Sequence, residues 1–434
     1  MIEELVNEME YYRDYVLKQD SFELYLFLSQ FRAAECTEDL VDFQSKETKG
    51  MSVRAFHKNH TDFAFIDGIS KERLAFMLQN DKFWNKMPQA YMASNINGSN
   101  NTFCLPDNFN FDFGKIREID ANFCENSWND TEKIIENYGE RLSKLHLQYQ
   151  LDAYFIFNSL GVKGYSIRST FAKGFELASN KPYFCKISPG IVQIKNSEIE
   201  KHIFGEDNAM LAIVPVKKIS YILFSETAIA KILYFLVFLL NREVVISGQS
   251  KFTFTDIGKK IFSENFTLKE NSALNKTIIG TLDGEGIYRK PSFIIKDGVL
   301  NNFFSMCCLE KETKSTGSAF RFNHRTTPQV KASKVSVVGD KSLEWILENY
   351  NDIAVVNDII GITESLNPIT TEFEAYADTL YYRNGSAEGN MKLNMKTSIM
   401  NILNEIECIS EGCSYGADGS IFMGSFLIKN NNIV

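Results

Sequence analysis

The chain has 434 residues, 44% of them apolar and 13% aromatic, with a formal net charge of -9 and a pI near 5.3. That length favours two domains over a single core, and the composition is that of an ordinary globular protein. The acidic balance excludes a broad nucleic-acid footprint, because phosphate binding needs clustered Lys and Arg.

The chain opens Met1-Ile2-Glu3-Glu4, with no basic n-region, apolar h-region or small-residue cleavage site, so no secretory signal is read there. Ile2, Leu5, Met9, Tyr12 and Val16 fall on one face of an amphipathic helix. Residues 25–31 (YLFLSQF) read as a strand, and residues 51–68 as two strands around a polar turn at Lys58-Asn59. Ser70 is a candidate N-cap for a helix with Leu74, Met77 and Leu78 inside. Residues 95–130, rich in Asn, Asp and Ser, predict a long surface excursion. From about Thr131 a helix is expected, with Ile134, Ile135, Tyr138, Leu142, Leu145 and Tyr149 facing inward.

Beyond residue 150 the pattern turns to strands, including residues 210–224 (MLAIVPVKKISYILF). Residues 226–241 (ETAIAKILYFLVFLLN) form the most apolar stretch. From Ala228 to Leu240 they would cover roughly 20 Å as a helix, short of the ~30 Å hydrocarbon thickness, and Lys231 interrupts them. A buried core helix is the reading, not a membrane anchor. Asp297-Gly298 and Asn384-Gly385 mark two hairpins, short helices are expected at Ser342–Tyr350 and Ser398–Ile406, and a closing strand at residues 420–428 (SIFMGSFLI). No repeat or linker divides the chain. Texture alone sets the boundary near residues 190–210, giving an N-terminal α/β domain over 1–200 and a β-rich C-terminal domain over 201–434.

The eight cysteines are dispersed, with no C-x-x-C, which fits a reduced cytosolic compartment. Cys307 and Cys308 are adjacent on an expected strand and read as small buried apolar residues rather than ligands. The five histidines, His57, His60, His146, His202 and His324, include no H-E-x-x-H or H-E-x-x-x-H. His57 and His60 flank a turn, where a solvated pair is favoured over a metal site. Residues 283–290 (DGEGIYRK) lack phosphate-loop spacing; Asp283 and Glu285 are read as an exposed acidic turn in preference to an acid–base pair. Residues 314–333 form a long polar segment, basic in an acidic protein, with Arg321, His324, Arg325 and Lys331. Such loops often line clefts, which makes Arg321, His324 and Arg325 candidates for a peptide cleft. Cys413 sits in a Gly-rich loop and is by itself an ordinary thiol.

Several of these segments, in this order, resemble the TldD/PmbA family. Residues 51–70 are similar to its early strand–turn–strand pattern, and residues 220–233 (SYILFSETAIAKIL) to the strand entering its central helix. Residues 283–304 resemble its D-D-E-G segment and following hairpin, KSTGSAFR (314–321) its S-T-G-N-x-R loop, and TEFEAYADTLYYRNGS (371–386) with TSIMNILNEI (397–406) its closing pattern. The resemblance covers roughly residues 50 to 428. It implies an α+β fold, an N-terminal α/β region with a β-rich C-terminal domain, and proteolysis of unfolded or leader peptides in a cytoplasmic complex. In that family the TldD-type subunit carries zinc on an H-E-x-x-x-H helix plus a late cysteine, and pairs with a PmbA/TldE-type subunit lacking the histidines. Here the corresponding helix reads Ile232-Leu233-Tyr234-Phe235-Leu236-Val237-Phe238, which cannot hold zinc or activate water.

The resemblance therefore implies a non-catalytic PmbA/TldE-like subunit with no cofactor of its own, Cys413 being a vestigial ligand and zinc residing in a TldD-like partner. The expected assembly is a heterodimer with that partner, or a homodimer. The expected ligand is a peptide, added as a strand to a sheet edge, with neither nucleic acid nor membrane as a partner. Thr371 and Asn390 depart from PmbA-type patterns. Two alternatives stay open: a peptide- or protein-binding scaffold that has lost the reaction, and a hydrolase using Cys413 with a histidine such as His324.

Overall fold

The computed structural model describes residues 11–12, 14–16, 18–87, 119–178, 184–189, 219–280, 282–306, 315–412, 414–416 and 419–431. Cys307, Cys308, Cys413 and His202 lie outside the described residues, as does most of the expected first helix, of which Tyr12 and Val16 are fully buried.

The N-terminal half is built on one antiparallel sheet. Its strands are β1 (Phe22–Cys36), β2 (Val41–Phe56), β3 (Thr61–Asp67), β4 (Asn85–Met87), β5 (Leu142–Asn158), β6 (Lys163–Leu177) and β7 (Phe184–Ser188). The order runs β6-β5-β1-β2-β3-β4, with β7 on β6. Two helices, α1 (Lys71–Leu78) and α2 (Ala121–Glu136), cover one face. Ser70 caps α1, its hydroxyl accepting from the Arg73 amide, with Leu74 and Met77 buried beneath.

Two expectations fail here. Residues 119–130 are no surface excursion: Asp120 accepts from the Phe123 amide at 2.8 Å and starts α2 there. The helix expected to continue through Tyr149 stops at Glu136, and Gly139 follows at a φ of +73°. Leu142, Leu145 and Tyr149 belong to β5, where Leu145, Leu147, Tyr149, Leu151 and Ala153 are buried at period two. Leu142, Leu145 and Tyr149 also fit a helical stripe, and this overlap misassigned them.

The C-terminal half contains two six-stranded sheets. One is ordered β12-β11-β9-β15-β21-β20, from β9 (Leu268–Glu270), β11 (Ser292–Lys296), β12 (Val299–Leu300), β15 (Val335–Val337), β20 (Ser414–Tyr415) and β21 (Ile421–Met423). The other is ordered β18-β17-β16-β8-β22-β19, from β8 (Tyr221–Phe224), β16 (Ile353–Val356), β17 (Glu372–Arg383), β18 (Ser386–Ser398), β19 (Ile406–Ile409) and β22 (Phe426–Lys429). Between them runs α3 (Glu226–Leu239), the apolar helix foreseen in the sequence, with Ile229, Ile232, Leu233, Leu236 and Leu239 fully buried. No described helix is long and apolar enough to cross a membrane.

Both hairpin turns form as expected: Asp297 and Gly298, and Asn384 and Gly385, all have positive φ, the backbone that two-residue hairpins require. The short helices appear at Leu343–Asn349 and Ile399–Asn404, capped by Ser342 and Ser398. The expected single closing strand is instead two, β21 and β22, in different sheets. At the break, a Cβ on Gly424 would come within 2.1 Å of the Ser410 carbonyl, so only glycine lets the chain pass.

Each half has its own apolar core, one spanning residues 12–177 and the other residues 219–428. They are stitched together by β10 (Ile278–Gly280), which comes from the C-terminal half and pairs with β6 of the N-terminal sheet. Tyr25, Phe27, Tyr154 and Ile156, on the face opposite the helices, pack with Leu282.

Candidate functional site

Alternation along β1 decides which side chains meet the C-terminal half. Leu24, Leu26 and Leu28 join the helix-covered core, while Tyr25 and Phe27 point the other way, and Ser29 and Phe31 follow on that second face. Strand register completes the surface: Lys46 and Gln150 flank Phe31, Thr48 and Asp152 flank Ser29, and Gly50 and Tyr154 flank Phe27.

The segment 315–330 lies across this face. With Phe27, Ser29, Phe31, Lys46, Thr48, Gln150 and Asp152 as floor, and Phe322, Asn323, His324 and Arg325 as wall, it encloses a groove of about 530 Å³. The expected structureless loop is partly ordered, as β13 (Ala319–Phe320) pairs with β14 (Gln329–Val330).

The three cleft candidates divide. Arg325 is exposed and bidentate to Asp67, with Nη2 at 2.7 Å from Oδ2 and 2.8 Å from Oδ1. His324 lines the groove wall but is fully buried, its Nε2 at 2.7 Å from Asp67 Oδ1. Arg325 and then His324 hold the Asp67 carboxyl below its usual range. Burial lowers the His324 pKa, against the pull of Asp67. Its Nδ1 has no hydrogen-bond partner among the described residues.

Arg321 does not line the groove; it sits behind the wall, 1% exposed. It ion-pairs with Glu23, donates from Nε to the Gly284 carbonyl at 2.8 Å, and lies over the Tyr25 ring, 4.3 Å from its centroid. Arg54 grips the same carboxylate, Nε to Oε1 at 2.8 Å and Nη2 to Oε2 at 2.7 Å. Burial alone would raise the Glu23 carboxyl, but the two guanidiniums outweigh it and hold it below the ordinary value.

Asp283 and Glu285 are fully buried, so the exposed acidic turn does not form. Asp283 accepts from the backbone N–H groups of Glu285 and Ile287, both at 2.9 Å, and of Ala319 at 3.1 Å. It clamps the glycine-rich segment to β13. Arg289 is buried beside it, donating to the Leu282 and Gly317 carbonyls and to Ser333 Oγ.

Among the described residues that line the groove, the Ser29 hydroxyl and the His324 imidazole are each held by a carboxylate. The Ser29 hydroxyl donates to Asp152 Oδ1 at 2.6 Å, and Gln150 Nε2 donates to the other oxygen at 3.0 Å. His324 is committed to Asp67. What the groove offers is three phenylalanines, Phe27, Phe31 and Phe322, together with hydrogen-bonding groups, the Asp152 carboxylate and the cations Lys46 and Arg325, a lining suited to holding a polar chain. Of the three residues named from the sequence, His324 and Arg325 stand in the wall and Arg321 does not, while Phe322, Asn323 and the whole floor go unnamed there. The floor's only signal was the i, i+2, i+4 spacing of Phe27, Ser29 and Phe31, which any amphipathic strand shares.

The zinc that the family resemblance implies does not fit α3. Residues 227–239 contain no imidazole, thiol or carboxylate. Glu226, at the first turn, accepts from Ser425 Oγ at 2.8 Å, and Lys231 binds Asp358 and the Ile359 carbonyl. Among the described residues, the three-donor group of metal-binding type is elsewhere, His57, His60 and Asp62.

The family described as PmbA/TldA metallopeptidase C-terminal domain matches residues 218–434. No curated protein matches the chain. Among solved structures, TldE from Thermococcus kodakarensis is similar over 97% of this chain and 98% of its own, at 16% identity and a TM-score of 0.79. A protein from Thermotoga maritima, described as a candidate modulator of a DNA gyrase, is similar over 98% and 99%, at 15% identity and a TM-score of 0.72. A third, from Bacteroides thetaiotaomicron and similarly described, covers 99% and 98%, at 15% identity and a TM-score of 0.70. At these identities the likeness is one of fold.

Proposed function

Because the chain belongs to the PmbA/TldD family, we propose that it acts as a non-catalytic, PmbA/TldE-like subunit that completes the peptide cleft of a zinc-bearing, TldD-like partner. One observation carries this reading: the central helix presents Ile232, Leu233, Leu236 and Leu239 to a packed core and no metal donor between residues 227 and 239. Alkyl and aromatic groups neither ligate zinc nor take a proton from water. The chain's contribution is then binding and positioning. A polypeptide in the groove over β1, β2 and β5 would meet Phe27, Phe31 and Phe322 with its apolar side chains, and Lys46 and Arg325 with its acidic ones. Since this groove lies on a sheet face, recognition there runs through side chains rather than edge backbone.

Co-expression with a TldD-like chain, followed by co-purification and a peptide-cleavage assay, tests the proposal. The expected result is a stable complex that cleaves unfolded peptide and loses activity with a chelator, while this chain alone is inert. Chelator-sensitive cleavage by the purified chain alone would overturn the inert-subunit reading. Failure to associate with the TldD-like chain while still capturing peptide would overturn it in favour of a scaffold.

A further inference from the structure

The hairpin between β2 and β3 carries a group of side chains that the peptide-cleft reading does not use. Phe56 and Thr61 are the last paired residues, and the His57 amide donates to the His60 carbonyl at 2.9 Å, closing a tight loop. Asp62 is the second residue of β3, opposite Ala55. This geometry turns three side chains toward one point. His57 Nε2 lies 3.0 Å from Asp62 Oδ2, and His60 Nε2 lies 3.4 Å from Asp62 Oδ1. The imidazoles stack at 4.6 Å between centroids and 22° between planes. All three donor atoms fall within 4.8 Å of one another.

From this arrangement we propose that His57, His60 and Asp62 form a binding site for a divalent transition-metal cation. The spacing is the argument. Ligands about 2.0–2.1 Å from a tetrahedral zinc are separated from each other by roughly 3.3–3.4 Å; the His60–Asp62 separation of 3.4 Å matches that value and the His57–Asp62 separation of 3.0 Å is a few tenths shorter. Both imidazoles present the same nitrogen, and the carboxylate turns one oxygen to each.

Two nitrogens and one carboxylate suit Zn²⁺, Co²⁺, Ni²⁺ or Cu²⁺; Mg²⁺ and Ca²⁺ demand oxygen-rich shells. The side chains are 46%, 35% and 23% exposed for His57, His60 and Asp62, so a cation reaches them without opening the fold. A fourth position remains for water or for a donor from another molecule. The site belongs to the N-terminal sheet and shares no residue with α3, so it is separate from a helix-borne zinc centre. The competing explanation is a carboxylate that simply accepts hydrogen bonds from two imidazoles.

The test uses the full chain, stripped with chelator and titrated with Zn²⁺ by calorimetry and with Co²⁺ by visible absorption. The expected result is one site lost in His57→Gln/His60→Gln and weakened about tenfold or more in Asp62→Asn, with unchanged circular dichroism. In the unaltered chain, Zn²⁺ should also protect His57 and His60 from imidazole acylation, read by mass spectrometry, while His146 stays reactive. Zn²⁺ affinity identical in the double variant, or equal acylation with and without metal, would overturn the site. If the double variant misfolds, the acylation pattern of the unaltered chain decides.

Discussion

Single buried charges show how this fold uses ionisable groups. Glu270 is fully buried on β9, with Oε1 accepting from Ser318 Oγ at 3.2 Å and Oε2 without a partner among the described residues. Burial, only partly offset by Arg289, Ser318 and the Ser333 backbone, pushes its pKa up to about 7 from an ordinary 4.5. An acid whose pKa is higher folded than unfolded binds more protons in the native state. Its effect on stability is therefore most favourable below about pH 4.5, declines as pH rises toward 7, and is constant above that. Glu270→Gln keeps the shape and removes the charge. The variant should lose this component of the pH slope and be more stable than the parent at pH 8, by at most about 3 kcal/mol. Melting temperatures from pH 4 to pH 8 check it, and parallel curves for the two proteins would count against it.

At the scale of the element, β2 governs the groove through one glycine. A Cβ on Gly50 would lie 2.3 Å from His324 Cδ2 and Nε2, and the imidazole is fully buried, with the Phe27 and Phe65 ring centroids 6.3 and 6.4 Å away. Gly50→Ala must therefore push His324 off Asp67, at a cost of about 1–3 kcal/mol. In a His324→Ala background the same change should be nearly free, so a double-mutant cycle read by denaturant midpoints gives a large coupling; simple additivity would show that His324 is not the obstacle. Nothing in the local sequence announces this role, since Gly50 reads as an ordinary glycine inside a polar stretch. The same holds for the outer half of β2. Residues 42–47 are exposed on both faces, so they carry no alternation, and the strand is visible only from its partner β1. Elements with a local cause were legible: the Ser70 cap, the short helices that start at Ser342 and Ser398, the two Gly-containing turns and the apolar α3. The burial of Asp283 and Glu285 was not, because this segment is clamped through Asp283 and Gly284 to β13, which lies outside its local sequence.

The whole molecule is held by contacts that cross between its two cores. β10 extends the N-terminal sheet from the C-terminal half, Tyr154 donates to the Leu282 carbonyl at 3.0 Å, and Arg321 shares the Glu23 carboxylate with Arg54. The 0% exposed side chains of Glu23 and Arg321 leave no water to replace a lost partner. Removing a charge from such a group costs about 3–5 kcal/mol, mostly because the remaining charge stays buried and unpaired. The two halves should consequently unfold together in the parent protein, as one transition. The three tryptophans supply independent reporters, Trp84 and Trp128 in the N-terminal half and Trp345 in the C-terminal half. With Trp345→Phe as one background and Trp84→Phe/Trp128→Phe as the other, fluorescence in urea should give coincident midpoints. Adding Glu23→Gln should lower both midpoints and separate them, since it strands two guanidiniums at the junction while leaving each core intact. Separate midpoints already in the parent backgrounds would mean that the halves are autonomous and the junction contributes no cooperativity.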